Sequence, residues 1–183
     1  MPEGRKDQLL ELAYAYVGEH GITSLSLRPL AAAIGSSPRV LLFLFGSKDG
    51  LVRALLARAR ADEVDLLTTI APGSLDGTAE AVWGWLSDPA HRSLLTLWVE
   101  AYARSLIERE GPWAGFAAET VSDWLAFFAA AQPPEVRDTP EGEAARTATL
   151  ALLRGALLDL LATGEAGRTT AAVLGNRTKL LGR

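Results

Sequence analysis

Residues 24–48, SLSLRPLAAAIGSSPRVLLFLFGSK, constrain the fold most, because residues that start and stop helices alternate there at short intervals. Ser26 is placed to act as an N-cap, apolar residues then recur at helical spacing, and Gly35 favours the end of that helix. Ser37 and Pro38 follow as a second N-cap and a first helical residue. The sequence therefore predicts two short helices joined by a tight turn, the helix-turn-helix unit.

The second of these helices is expected to have two distinct faces. Leu41 and Phe45 lie four residues apart and are predicted to face the core. The outward face would then carry Pro38, Arg39, Val40, Leu42 and Phe43. Because the second helix of such a unit enters the major groove of DNA, this outward face is predicted to meet base edges or phosphates.

Individual roles follow from the chemistry of the side chains. We expect Arg39 to address guanine through two hydrogen bonds and Val40 to contact a thymine methyl group. The predicted phosphate contacts are Arg28, Ser37 and Lys48, helped by the helix N-terminus that follows.

Charge is distributed unevenly along the chain. The net charge is −4, yet residues 1–60 carry eight Lys/Arg against five Asp/Glu, a balance of +3 that leaves −7 for the remainder. A basic head on an acidic body is typical of a DNA-binding domain joined to a domain that does not bind DNA. Chance produces an asymmetry of this size as well, so charge alone does not decide.

Residues 24–48 and their surroundings resemble the amino-terminal DNA-binding domain of the TetR family of bacterial transcriptional repressors. An amphipathic first helix runs up to HGITSLSLRPLAAAIG, then come SSPRVLLFLFGSKDGLV and a long fourth helix, in the family's order and lengths. The resemblance implies a homodimer on a palindromic operator, released by a small ligand. One departure is visible: the family usually has Tyr and a polar or His residue where this chain has Leu42, Phe43 and Leu44, which removes some expected phosphate hydrogen bonds.

The rest of the chain is predicted to be helical. A long helix spans 49–69, Pro72-Gly73 breaks it, and five more helices cover 76–87, 90–109, 113–131, 141–163 and 168–181. No segment alternates as a strand would. The predicted fold is therefore all-α with about nine helices, divided into a DNA-binding head (1–48), a linking helix (49–71) and a ligand-binding and dimerisation body (72–183).

Aromatic residues are concentrated in the body. The candidate ligand-binding residues are Trp98, Tyr102, Trp124 and Phe128, with Glu100, Arg104 and Asp123 as polar contacts. Such a lining suits a small apolar or aromatic effector. Two alternatives stay open, namely that the aromatic stripes are ordinary core, and that the polar residues are solvated or that Glu100 pairs with Arg104 across one helical turn.

The penultimate helix, with LLRGALLDLLATGE, is apolar on most faces and must be buried on several sides. Small residues at 148, 151, 155 and 156 permit close helix approach, whereas Arg154 and Asp159 need partners if buried. In the TetR resemblance the last two helices form the homodimer interface.

Several classes of protein are disfavoured by what the chain lacks. It has no Cys and only two His, and it carries no Gly-rich phosphate loop or nucleophile with a nearby base, so we expect no metal, no cofactor and no enzyme activity. No apolar run reaches the length of a membrane span and the first residues are polar, which predicts a cytoplasmic protein. The main alternative is a helical ligand-binding or interaction module with weak or lost DNA binding.

Overall fold

A computed structural model describes the backbone of residues 2–70 and 73–180, and none of these residues lies in a strand. The first four α-helices are α1 (Pro2–His20), α2 (Leu27–Ala33), α3 (Pro38–Phe45) and α4 (Lys48–Thr69). The next three are α5 (Leu75–Leu86), α6 (Arg92–Ile107) and α7 (Phe116–Ala130). The last three are α8 (Pro134–Arg137), α9 (Pro140–Thr163) and α10 (Ala166–Leu180). The predicted all-α fold is confirmed.

The described helices number ten rather than nine, since α8 is a single turn that the sequence interpretation missed. It begins at Pro134, where the missing N–H of proline costs nothing. Short 3₁₀ turns at Pro89–His91 and Gly111–Trp113 precede α6 and α7, so both begin later than predicted. The predicted break at Pro72-Gly73 is confirmed only at Gly73, which is outside any helix, because Pro72 lies outside the described residues. The last predicted helix ends at residue 181, which also lies outside the described residues.

The chain divides into two compact units, each made of two segments. The first comprises residues 1–63 and 93–120, and the second comprises residues 64–92 and 121–183. The sequence-based division into a head (1–48), a linking helix (49–71) and a body (72–183) assigns functions to segments of the chain, and it stays a prediction.

The core of the first unit joins residues that are far apart in sequence. Its α1 to α4 part includes Leu9, Ala13, Val17, Leu30, Leu41, Phe45, Leu51 and Leu55, all buried. Leu97 and Ala101 of α6 belong to the same cluster, as do Trp113 and Phe116. Removing this apolar surface from water stabilises the unit, so α6 is part of the structure that supports α1 to α3.

A polar network also joins α1 to α4 in the first unit. The Tyr14 hydroxyl donates to Asp62 Oδ2 at 2.8 Å, and Arg58 pairs with both Glu11 and Asp62 while lying 5.0 Å from the centre of the Tyr14 ring. Burial, together with the hydrogen bond to Asp62, raises the pKa of Tyr14 above its usual value. The phenol therefore stays protonated and continues to donate.

In the second unit, α5, α9 and α10 pack against one another. The indole Nε1 of Trp83 donates to Thr170 Oγ1 at 3.0 Å, which ties α5 to α10. Asp159 near the end of α9 accepts two hydrogen bonds of 2.7 Å from Arg168 on α10. The acidic residue that interrupts the apolar surface of α9 thus has a partner on the next helix.

No single helix among the described residues is both long and apolar enough to cross a membrane. The short helices α2 and α3 meet the length and composition requirement only as a pair, and they are bent by 102° relative to each other.

Candidate DNA interface and ligand site

The turn between α2 and α3 is built from the residues that the sequence indicated. Gly35 has φ 65° and Gly46 has φ 78°, conformations that favour glycine where each helix stops. Ser37 Oγ accepts the N–H of Val40 at 3.3 Å, which confirms it as an N-cap. Ser26 occupies the N-cap position of α2, but its side chain makes no capping hydrogen bond, so that part of the prediction is wrong.

The two faces of α3 are separated as predicted. Leu41 and Phe45 are 1% and 8% exposed and belong to the core cluster of the first unit. On the other side, Phe43 is 83% exposed, with Leu42 at 41% and Val40 at 38%. Arg39, the only charged residue in PRVLLFLF, is also exposed, and Pro38 is half-buried at the helix start. The helix thus offers solvent one cation and an apolar surface.

The predicted phosphate contacts lie at the surface as well. Arg28 on α2, Ser37 and Lys48 are all exposed. Lys48 is the first residue of α4, whose start is capped by Ser47 Oγ accepting the N–H of Gly50 at 2.9 Å. A helix N-terminus carries partial positive charge, so Lys48 and the start of α4 together attract an anion.

The four candidate ligand-binding aromatics fall into two pairs, one in each compact unit. Trp98 and Tyr102 on α6 are half-buried in the first unit and stack with ring centres 5.1 Å apart. Both pack against the core cluster that contains Leu41 and Phe45. In the second unit, Trp124 and Phe128 on α7 are 6% and 0% exposed, with ring centres 5.8 Å apart. A single site that uses all four stays a prediction.

Of the polar candidates, Glu100 has the clearest contacts. Its carboxylate accepts the N–H of Ile22 at 2.8 Å and the hydroxyl of Thr23 at 3.2 Å, in the loop between α1 and α2. Arg104 does not pair with Glu100, as the alternative interpretation proposed, but with Glu108 at 2.7 Å. Glu100 and Glu108 each lie four residues from Arg104, on opposite sides of it in the sequence. Because Glu100 already binds the loop after α1, Arg104 pairs with Glu108. Asp123 is half-buried on α7.

Two features of the first unit had no signal in the sequence. Glu63 on α4 is 7% exposed, and the hydroxyl of the fully buried Thr120 on α7 lies 3.4 Å from Glu63 Oε2.

The second feature is an open cleft of about 480 Å³, which has an apolar wall of Ile22, Val52 and Trp113. Its polar lining residues are Thr23, Lys48, Asp49, Arg104, Glu108 and Glu110. The lining comes from three separate parts of the chain, so no local pattern reveals the cleft.

The α9–α10 layer leaves a surface of small and apolar residues exposed. On α9 these are Ala151, Gly155, Leu158 and Ala162, and on α10 they include Ala171 and Leu174. Leu158 is 53% exposed and Leu174 is 37% exposed. A Cβ added to Gly155 would meet no atom within 4 Å, so this surface lies open in the single chain.

Comparison with known proteins agrees with this geometry. Residues 9–55, from α1 through the helix-turn-helix into α4, match the family model described as bacterial regulatory proteins, tetR family. This amino-terminal segment is of the TetR-family type. The matched segment contains all of α2 and α3 together with Lys48.

One relative extends the similarity beyond the amino-terminal domain. The chain is 28% identical over 135 residues to the HTH-type transcriptional regulator BetI of Rhizobium meliloti (strain 1021). The alignment covers 72% of this chain and 54% of BetI, so it spans about half the length of that curated relative.

Solved structures share the whole fold. A TetR-family transcriptional regulator from a Rhodococcus species superposes with a TM-score of 0.76 at 19% identity, covering 97% of this chain and 98% of that one. The multidrug binding protein EbrR, complexed with imidazole, gives a TM-score of 0.69 at 22% identity, covering 97% and 89% of the two chains. EbrR has also been solved complexed with proflavin. At these identities the likeness establishes the TetR-family fold and no more.

Proposed function

We propose that this chain is a DNA-binding transcriptional regulator, which binds a palindromic operator as a homodimer and is released from it by a small apolar or aromatic ligand. The observation that carries the proposal is the exposed face of α3, which lies within the segment matched by the family model. BetI, the named relative, is likewise a transcriptional regulator. Repression is the family's usual mode, and cytoplasmic location follows from access to the chromosome.

The chemistry of α3 supports reading of the major groove. Phe43 is mostly exposed and gains little burial in the isolated chain, whereas contact with thymine methyl groups or sugars would remove its ring from water. Arg39 beside it supplies two parallel N–H groups that match the O6 and N7 acceptors of guanine. Arg28, Ser37 and Lys48 would fix the register on the phosphates.

The test is selection of binding sequences from random duplexes, carried out at two salt concentrations. We expect an enriched palindrome whose half-sites are one helical turn, or a multiple of it, apart. Arg39→Ala should lose about 1–3 kcal/mol on that operator and relax selection at one base pair. Lys48→Ala should weaken specific and random DNA alike and flatten the salt dependence. A loss confined to the operator would contradict a phosphate role for Lys48.

The exposed surface of α9 and α10 supports the homodimer. Small residues let two helices approach closely, and burying Leu158 and Leu174 on a second copy removes apolar surface from water. Gly155→Leu should keep the chain folded, because there is open space around that glycine, yet block close approach of a second copy. Gly84→Leu on α5, also exposed with open space, is the matched control.

Sedimentation or light scattering gives the readout for this pair of variants. The wild type and Gly84→Leu should be dimers, and Gly155→Leu should be a folded monomer with reduced operator affinity. A Gly155→Leu protein that remains dimeric would place the interface elsewhere.

Ligand control rests on the aromatic residues of α6 and α7, and on EbrR as a structural relative that binds imidazole and proflavin. Proflavin is therefore a suitable first probe, with binding followed by its own fluorescence and by quenching of tryptophan. A ligand releases DNA only if it binds the two conformations unequally. The expected result is a weaker operator affinity in the presence of proflavin, and less effect in Trp98→Ala. Proflavin that binds the chain without any change in operator affinity would contradict its role as an effector.

The second candidate function is a helical ligand-binding or interaction module with little DNA binding. The observation in its favour is the run Leu42-Phe43-Leu44, which lacks the polar groups that the family usually presents there. A DNA affinity that is indifferent to sequence and insensitive to salt would favour this module over the regulator.

A further inference from the structure

The loop between α1 and α2 is held from outside by one carboxylate. Glu100 of α6 accepts the backbone N–H of Ile22 at 2.8 Å and the Thr23 hydroxyl at 3.2 Å. A hydrogen bond to an ionised acceptor is shorter and about twice as strong as a neutral one. This loop leads directly into α2, so Glu100 acts on the first helix of the helix-turn-helix unit.

The loop is shaped to receive this side chain. Gly21 has φ 80°, a conformation that favours glycine, and it turns the chain after α1. A Cβ at Gly21 would lie 3.0 Å from Glu100 Oε1 and 3.2 Å from Oε2, so the carboxylate occupies the space that a side chain would take. Ile22 itself is 2% exposed. The backbone conformation of Gly21, the space beside it and the hydrogen bond from Ile22 therefore all favour a carboxylate at this position.

The helix that carries Glu100 is fixed to the same unit on both sides of it. Leu97 and Ala101, which lie on the same face of α6, are 3% and 0% exposed and belong to the core cluster shared with α1, α2 and α3. Trp98 and Tyr102 lie roughly 100° further round α6. A rotation or shift of α6 that changes the surroundings of Trp98 and Tyr102 must also move the Glu100 carboxylate.

We infer that Glu100 is a positioning residue for the helix-turn-helix: from α6 it fixes the loop that enters α2, and through it the orientation of α2 and α3. The inference rests on the proposed function of α3 and adds a route by which the position of α6 reaches the DNA-binding face. This route does not pass through α4, the linking helix between the predicted head and body.

The first experiment compares Glu100→Ala, Glu100→Gln and the wild type on the selected operator and on random duplex DNA. Loss of positioning should reduce specific binding, whereas the exposed cations that bind any phosphate backbone remain. We expect the ratio of operator to random-DNA affinity to fall at least tenfold in Glu100→Ala, with random-DNA affinity within twofold of the wild type. Glu100→Gln should recover most of the ratio, since its amide oxygen still accepts from Ile22 and its amide nitrogen can donate to Thr23.

Glu108→Gln is the matched control, because it removes a nearby acid, one residue beyond the end of α6, whose partner is Arg104 and not the loop. Its affinity ratio should stay within twofold of the wild type. Circular dichroism of each variant establishes that the helices are intact. If Glu100→Ala proves unfolded, Thr23→Ala, which removes one of the two hydrogen bonds, replaces it with a smaller expected fall of about threefold.

Hydrogen exchange at the Ile22 amide measures its hydrogen bond to Glu100 in the absence of DNA. In Glu100→Ala this amide should exchange at least tenfold faster, while amides in the middle of α4 keep their wild-type rates. An unchanged Ile22 rate, or an unchanged affinity ratio on an operator that the wild type does select, overturns the inference. A wild type that selects no operator instead overturns the proposed function and the positioning role with it, so the two failures are distinguishable.

Discussion

Alanine substitutions at Leu41 and Phe43 test the orientation of α3 directly, because the two residues are close in sequence but lie on opposite faces. Leu41 is 1% exposed in the core of the first unit. Removing such a buried leucine side chain loses its transfer free energy and leaves a cavity, which together cost about 2.7–5 kcal/mol. Leu41→Ala should therefore lower the free energy of unfolding by several kcal/mol.

Phe43 gives the opposite expectation although its side chain is larger. It is 83% exposed, so only 17% of its surface is removed from water by folding. With about 200 Å² for a phenylalanine side chain, that fraction is about 35 Å², or under ~1 kcal/mol at about 25 cal/mol per Å². Alanine also favours the helix by up to about 0.5 kcal/mol. The net change for Phe43→Ala should lie within about 0.5 kcal/mol of zero.

The two assays are urea unfolding and operator binding. In unfolding, Leu41→Ala should shift the midpoint strongly and Phe43→Ala hardly at all. In binding, Phe43→Ala should weaken the operator complex at least fivefold, which corresponds to about 1 kcal/mol. A large loss of stability in Phe43→Ala would mean that the ring is buried in the folded protein and that α3 does not turn this face to solvent. Unchanged stability together with unchanged operator affinity would remove Phe43 from the DNA interface.

Three further variants test the packing of the two units. Tyr14→Phe should lower the free energy of unfolding by about 1–2 kcal/mol, because it removes a half-buried hydrogen bond to the Asp62 carboxylate; urea unfolding measures it. Hydrogen bonds from Arg168 lower the pKa of Asp159, so their stabilisation is present above the usual pKa of the carboxyl and is lost as pH falls through its lowered value. The difference in stability between the wild type and Asp159→Asn should therefore shrink as the pH falls below about 4. Gly142→Ala should cost about 1–3 kcal/mol by overpacking, which thermal unfolding measures.

The controls for these variants use the same chain. A Cβ at Gly142 would overlap the backbone carbonyl of Val136, whereas Gly84 on α5 has open space and should gain up to about 1 kcal/mol on substitution by alanine. Equal effects at Gly142 and Gly84 would contradict the close approach of the backbone. For Tyr14→Phe, a change in unfolding free energy below about 0.3 kcal/mol would mean that solvent replaces the hydrogen bond at no cost. A stability difference at Asp159 that grows on acidification would refute the sign of its pKa shift.

The parts of the fold that were predictable from sequence are those fixed by local rules. Ser37, Pro38 and Gly46 set the bounds of α3 through N-cap, first-turn and left-handed conformations that need no distant partner. The inward position of Leu41 and Phe45 follows from helical periodicity alone. The short helix α8 was missed because Pro134 was interpreted as a residue that ends a helix, whereas proline is also accepted in the first turn of a helix.

The candidate site was less predictable because it depends on contacts between distant segments. Glu100 meets Ile22 across 78 residues, and no local pattern distinguishes that carboxylate from one that faces solvent or a ligand. Similarly, spacing identifies the aromatic stripes of α6 and α7. Spacing does not show that the two stripes belong to different compact units. Periodicity identifies the face on which a residue lies, and only packing identifies its partner.

The contribution of α6 to the amino-terminal core has a consequence for folding during synthesis. The cluster that includes Leu56 is completed by Phe116, which emerges from the ribosome 60 residues later (116 − 56). At translation rates of about 5–20 residues per second, the nascent helix-turn-helix waits about 3–12 s before its last apolar partners are available. Chaperone binding and proteolysis during translation should therefore concentrate on α1 to α4. A fragment that ends before α6 would leave the same apolar surface uncovered permanently.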